Sequence, residues 1–190
     1  TQYYVFVRSD CGGDQSSWMS VEFTTACEAL TSDDLPFVEN FEGIAGSTST
    51  SVAESNLPNC WDQYFGGTSS SYLGYPIVYN SSSYAASGSN SMRFYVYSST
   101  AYGEEIAMLP LIDTVSIPLN SLMVSFDARK YSDDYSYYQF MLEVGVMQGS
   151  DISSFQTVGT IQVSSASYDS YDVYLNNFTG YGNRIANGKF

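Results

Sequence analysis

Residues 131–138 read Tyr-Ser-Asp-Asp-Tyr-Ser-Tyr-Tyr, two adjacent carboxylates set among flat aromatic rings. Carboxylates accept hydrogen bonds from sugar hydroxyls, and rings cover the apolar face of a pyranose. This makes Tyr131, Asp133, Asp134, Tyr135 and Tyr137 candidate ligand-binding residues, with Tyr79 and Tyr84 as a second loop of the same kind. The same composition also suits an ordinary polar hairpin loop, and both readings stand at this level.

A second candidate chemistry belongs to Arg93, Arg129 and Lys130, half of the chain's 6 basic residues. On or beside neighbouring strands they could clamp a carboxylate ligand such as a sialic or uronic acid. The alternative is pairing with Asp127 or Glu143 on a solvated face, which contributes little to stability. Acid–base catalysis finds less support. With 0 histidines the chain lacks the usual base near neutral pH, the Ser-His and Cys-His nucleophile pairs and the commonest zinc ligand. A glycosidase would need two acids about 5–10 Å apart across a cleft. Twenty acidic residues provide such pairs by chance, so the count carries no weight. Neither a G-x-S-x-G elbow nor a phosphate-cradling glycine loop is present.

The formal net charge of -14 repels nucleic-acid phosphates and anionic membrane surfaces, so neither is an expected partner. No apolar run approaches the roughly 18 residues of a membrane helix. Thr1 opens directly into a strand-like segment, and the expectation is a soluble piece whose targeting signal, if any, lay upstream. Of the 3 cysteines at least one lacks a partner within the chain. Cys11 beside the turn of a hairpin and Cys27 at its far end would lie roughly 25 Å apart, too far to bridge. Cys27 with Cys60 is geometrically allowed, and three unpaired thiols is the alternative.

The elements that must position these residues are strands. Leu122, Val124, Phe126 and Ala128 alternate with Met123, Ser125 and Asp127. Tyr138, Phe140, Leu142, Val144 and Val146 alternate with Gln139, Met141, Glu143 and Gly145. A period of two marks half-buried antiparallel strands. Residues 3–8 and 18–25 read as a hairpin around an Asp-Cys-Gly-Gly-Asp turn. Further strands are predicted at 61–65, 77–79, 92–97, 105–109, 158–163 and 171–175, with 79–91 as a surface loop. Strands at turn-punctuated spacing with hardly any helical period predict an all-β protein, an antiparallel β-sandwich of the jelly-roll kind. Trp18 is expected to pack within the hairpin unit and Trp61 in the sandwich core.

Tyr-Tyr-Val-Phe-Val-Arg-Ser-Asp-Cys (3–11) and Ser-Trp-Met-Ser-Val-Glu-Phe-Thr-Thr (17–25) resemble the last two strands of a fibronectin type III domain. Further on come Leu-Pro-Phe-Val-Glu-Asn-Phe-Glu (35–42), Leu-Pro-Asn-Cys-Trp (57–61), Gly-Ser-Asn-Ser-Met-Arg-Phe (88–94), Leu-Pro-Leu-Ile-Asp (109–113) and Val-Ser-Phe-Asp-Ala-Arg (124–129). Phe-Met-Leu-Glu-Val-Gly-Val-Met (140–147) and Phe-Gln-Thr-Val (155–158) follow. In this order they are similar to the cleaved-adhesin and MAM-like, galactose-binding-like jelly rolls of Bacteroidetes surface proteins, over about residues 35 to 186. The resemblance divides the chain into a fibronectin-like remnant at 1–28, a linker at 29–34 and a jelly roll at 35–190 expected to lack its last strand.

That resemblance implies a secreted or cell-surface protein whose jelly roll serves adhesion or glycan contact without catalysis. A structural spacer or protein-interaction module is the alternative, and a hydrolase-associated domain a further one. It also implies a structural calcium on the first strand of the jelly roll, with Glu42 as the matching ligand and Glu39 beside it. Gly66-Gly67-Thr68-Ser69 stands where the family carries an aspartate-rich loop, and its closing Ile-Asp-Asp is absent, so no calcium site is carried over from those segments. The implied partners are a glycan or a host or bacterial surface protein. The two-strand remnant is expected to dock on the jelly roll or to pair with another chain.

Overall fold

The structure, a computed structural model, describes residues 2–24, 27–95, 103–133 and 140–189. It is all-β. Eleven strands are arranged in antiparallel sheets, with two single turns of 3₁₀ helix at Ser32–Asp34 and Leu119–Ser121 and no α-helix among the described residues. The strands are β1 (Gln2–Val7), β2 (Met19–Thr24), β3 (Asp62–Phe65), β4 (Ile77–Asn80), β5 (Asn90–Arg93), β6 (Glu105–Leu111), β7 (Met123–Ala128), β8 (Phe140–Gln148), β9 (Asp151–Val163), β10 (Asp169–Tyr174) and β11 (Arg184–Lys189).

One sheet has five strands in the order β3-β6-β11-β8-β9; β10 pairs with β7, β4 with β5 and β1 with β2. β7 behaves as its sequence predicts: Val124 and Phe126 turn inward while Met123, Ser125 and Asp127 are exposed. That inner face joins Val173 and Leu175 and meets Val144, Val146, Ile185, Ile112 and Ile117 of the facing layer. The packing of one sheet face on another makes the body sandwich-like. Each fully buried valine or leucine in such a layer contributes about 1.5–3 kcal/mol relative to exposure.

The second alternating stretch behaves differently. β7 and β8 do not pair with each other; β8 runs between β11 and β9 in the other sheet. Its residues 144–147 are buried on both faces. Beneath the first core lies a second, of Ile106, Met108, Met147 and Ala186, covered by Tyr64, Ile152 and Phe155. Gly145 is required there because a Cβ would stand 2.4 Å from the Phe155 ring. β11, which the sequence does not announce, fills the middle of the sheet. Arg184, Ile185 and Ala186 are all buried in it. Asn and Gly in that segment disfavour a strand by propensity, but a strand covered on both sides needs small residues where side chains crowd.

The expected linker is laid along the body. Leu30 forms a parallel bridge to Ile112, with Leu30 N–H donating to the Leu111 carbonyl and Asp113 N–H to the Leu30 carbonyl. Cys27 is bonded to Cys60 with a Cα separation of 5.4 Å, while Cys11 is unpaired and exposed. Arg184, buried at the start of β11, donates to the Cys60 and Leu109 carbonyls, to Ser150 Oγ and to Asp62. The bridge and this guanidinium together hold Cys60 at a φ of 70°.

The β1–β2 hairpin is not docked on the sandwich. Tyr4, Val5, Phe6, Val7, Met19 and Val21 are all exposed. Trp18, expected to be packed, is 58% exposed, with the Arg8 guanidinium 4.6 Å from its ring centroid. Two strands have one layer and hence no opposing face to bury it. Trp61 is half-buried and meets Phe41 edge to face, with ring centroids 5.9 Å apart.

Candidate functional site

Tyr131, the described aromatic residue of the first candidate loop, meets the tyrosines of the second. The loop between β4 and β5 carries Tyr84, and Tyr131 follows the end of β7; their rings stack with centroids 5.2 Å apart and planes 20° from parallel. Tyr79, on β4, lies 6.4 Å from Tyr84. The 81–89 loop is held in place from three directions. Ser81 N–H donates to the Ser89 carbonyl, Arg129 Nη1 to the Ser83 carbonyl and Tyr168 Oη to the Tyr84 carbonyl. Burial raises the Tyr168 phenol above its ordinary value, and hydrogen bonding to Tyr131, then burial, raises that of Tyr84. Both therefore stay protonated at neutral pH and can donate.

Two arginines flank the stacked rings. The Arg93 guanidinium lies 4.9, 5.5 and 5.7 Å from the Tyr79, Tyr95 and Tyr131 ring centroids. Arg129 lies 5.3 Å from Tyr84 and 5.8 Å from Tyr168. Such distances are in the cation–π range. The expected pairing with Asp127 or Glu143 is not formed. Asp127 accepts instead from Ser170 Oγ at 2.6 Å and Glu143 from Thr157 Oγ1 at 2.6 Å, each across its own strand pair. Lys130 leaves the group: its ammonium pairs with Asp133 at 3.2 Å.

Among the predicted ligand residues, Tyr131 is 55% exposed and belongs to this surface. Asp133 is engaged by Lys130 and accepts from the Ala166 N–H at 3.1 Å, which makes it part of the scaffold. Asp134, Tyr135 and Tyr137 lie outside the described residues. Sequence reasoning missed Tyr95 and Tyr168, because only the tertiary fold brings them beside the arginines. Tyr95 continues the aromatic surface by stacking on Tyr72 at 5.1 Å. Tyr75, behind it, is fully buried, and that burial drives its phenol strongly upward.

Glu42 and Glu39 belong to a different cluster. Glu42 Oε1 accepts from Ser89 N–H at 2.9 Å and Asn90 N–H at 2.8 Å. These donors, Asn90 first, hold its carboxyl below the ordinary range. Gly88, at a φ of 66°, gives the carboxylate room; a Cβ there would stand 2.4 Å from it. Glu39 accepts from Phe41 N–H at 2.5 Å, in the segment where Phe41 adopts a φ of 64°. Asn90, only 6% exposed, donates through Nδ2 to the carbonyls of Phe41 at 2.8 Å and Ile44 at 2.9 Å, and accepts from Asn80 Nδ2 at 2.7 Å.

A calcium ion needs six to eight oxygens, several of them backbone carbonyls. Here the amide of Asn90 already satisfies the carbonyls that face it, and both glutamates are engaged by backbone N–H groups. Among the described residues no group of three or more Asp, Glu, Cys or His is placed to hold a metal.

Two surface hollows, of about 310 and 380 Å³, meet at Phe178, Thr179 and Gly180, away from the tyrosine–arginine surface, and neither is lined by a charged residue. Among the described residues Glu105 is the one buried carboxylate, so a close buried acid pair for glycoside cleavage is not found there. No helix of the described residues is long and apolar enough to cross a membrane. Compared with known proteins, the chain matches no family model, no curated protein and no solved structure, and its resemblance to the adhesin jelly rolls rests on the quoted segments alone.

Proposed function

We propose that this chain is a non-catalytic carbohydrate-binding or adhesion module of an extracellular multidomain protein, a galactose-binding-like jelly roll behind a fibronectin-like hairpin. The observation that carries the reading is the surface formed by Tyr79, Tyr84, Tyr131, Arg93 and Arg129. It sets the exposed Tyr131 and half-buried aromatic and donor groups side by side where the 81–89 loop meets the end of β7. The Cys27–Cys60 bridge supports a secreted or cell-surface location, since structural disulfides persist in oxidising compartments. No step of this reading runs through calcium.

The test is a glycan array probed with the intact chain in calcium and in chelator, beside a Tyr131→Ala variant shown to be folded. The expected result is binding in both conditions that the substitution abolishes. Silence on the array from folded protein would transfer the reading to a spacer or protein-partner module. One observation favours that second reading independently: the apolar residues of β1 and β2 stand uncovered on an isolated hairpin.

A further inference from the structure

Arg93 and Arg129 are the two guanidiniums of the site, in a chain that carries 20 acidic residues against 6 basic ones. With acids in such excess, a cation on the surface ordinarily finds a carboxylate. Neither does: the described ion pairs are Lys130–Asp133 and Arg184–Asp62. Arg129 is tied down by its backbone contacts, with Nε donating to the Lys130 carbonyl at 3.2 Å, Nη1 to Ser83 at 3.4 Å and Nη2 to Tyr131 at 3.3 Å. Among the described residues Arg93 has ring contacts only, so its forked donors lie among tyrosines without a described oxygen acceptor.

The rings themselves bear on what can bind. Tyr84 and Tyr131 stack on each other, and each also has a guanidinium close by. Their faces are therefore largely occupied within the protein, and covering the apolar face of a neutral sugar is not what this surface does best. What it presents is the fork of Arg93, ring edges and phenol hydroxyls. A planar carboxylate accepts two parallel N–H bonds from such a fork, and hydroxyls of the same sugar can pair with the phenols.

Resting on the carbohydrate reading above, we infer that this surface recognises a carboxylate-bearing saccharide, a uronic or sialic acid unit, with Arg93 receiving the carboxylate and Arg129 fixing the Tyr84–Tyr131 pair beside it. The negative charge of the rest of the chain keeps the interaction local. It disfavours long acidic polymers lying across the surface and favours short or terminal acidic units.

The experiment is titration calorimetry of the intact chain with trigalacturonate and 3′-sialyllactose, and with lactose and galactotriose as neutral counterparts. Arg93→Gln and Arg93→Lys are measured alongside, each checked by its melting curve. At least one acidic saccharide should bind about tenfold or more tighter than its neutral counterpart. Arg93→Gln should remove that preference, and Arg93→Lys, which keeps the charge and loses the fork, should retain only part of it. Should Arg93→Gln fail to fold, the Lys variant and the acid-to-neutral ratio of the unaltered protein decide. Equal binding of acidic and neutral saccharides, unchanged in the Lys variant, would overturn the inference and leave the carbohydrate reading standing. No binding of any of the four would overturn both.

Discussion

Asn90 and Arg93 stand at opposite ends of the same four-residue strand, yet their surroundings treat polar groups in opposite ways. Around Asn90 the side-chain amide is fully engaged, donating twice and accepting once. The amide closes on two carbonyls, Glu42 receives two N–H groups, and Gly88 leaves the room they need. Around Arg93 the guanidinium is surrounded by rings, with no oxygen acceptor among the described residues. A saturated polar cluster holds structure, because removing the buried Asn90 leaves the half-buried Phe41 and Ile44 carbonyls without their donor. An unsaturated one near the surface is where a ligand finds partners. The molecule thus separates its latch from its recognition surface over one short strand.

The largest expected effect belongs to the disulfide, which lies outside both surroundings. Replacing Cys27 and Cys60 together by serine should lower unfolding stability by about 2–5 kcal/mol, measured by urea denaturation against the oxidised parent. Next comes Asn90→Ala, which deprives the Phe41 and Ile44 carbonyls of their donor and should cost on the order of 3 kcal/mol by the same measurement. Either change should leave saccharide binding intact in whatever fraction remains folded. Loss of binding in folded Asn90→Ala protein would break the separation.

A smaller effect tests the charge in the latch. The folded-state pKa of Glu42 lies below its ordinary value of 4.5, so its contribution is present above that value and disappears as pH falls through the depressed one. Glu42→Gln should therefore be less stable than the parent at neutral pH, and the difference should shrink on acidification to about pH 3. Melting temperatures across that range check it. Asp34, held down by Thr31, should keep a residual acid dependence in the variant. The smallest change in stability belongs to Arg93→Gln, about 1 kcal/mol for the cation–π contacts it gives up. A much larger loss would mean that Arg93 is a structural cation and the contrast with Asn90 is false.

How much of this was legible beforehand follows from which physics each feature uses. The β7 alternation was readable because one face is buried and the other wet, so residue type reports on orientation. β8 carries the same pattern but lies between two cores, and its face of Met147 and Gly145 is as enclosed as its face of Val144 and Val146. β11 was illegible because Arg184-Ile-Ala-Asn-Gly-Lys has neither period nor propensity; packing from both sides makes it a strand. Tyr131, Tyr79 and Tyr84 were identified as surface aromatics, but their meeting depends on Arg129 and Tyr168 pulling the 81–89 loop onto the end of β7. Asn90 lies within the 79–91 stretch that reads as a surface loop. Its role depends on carbonyls 46 and 49 residues away, which no local pattern encodes.

The most direct test is amide chemical-shift mapping of isotopically labelled intact protein titrated with trigalacturonate, repeated with 3′-sialyllactose. Saturable shifts confined to residues around 79–84, 91–95, 129–133 and 165–168, with the 41–44 and 88–90 amides unmoved, are what an open recognition surface beside a closed latch predicts. Shifts centred on 177–182, shifts spread through the latch, or no shifts with either saccharide would contradict it.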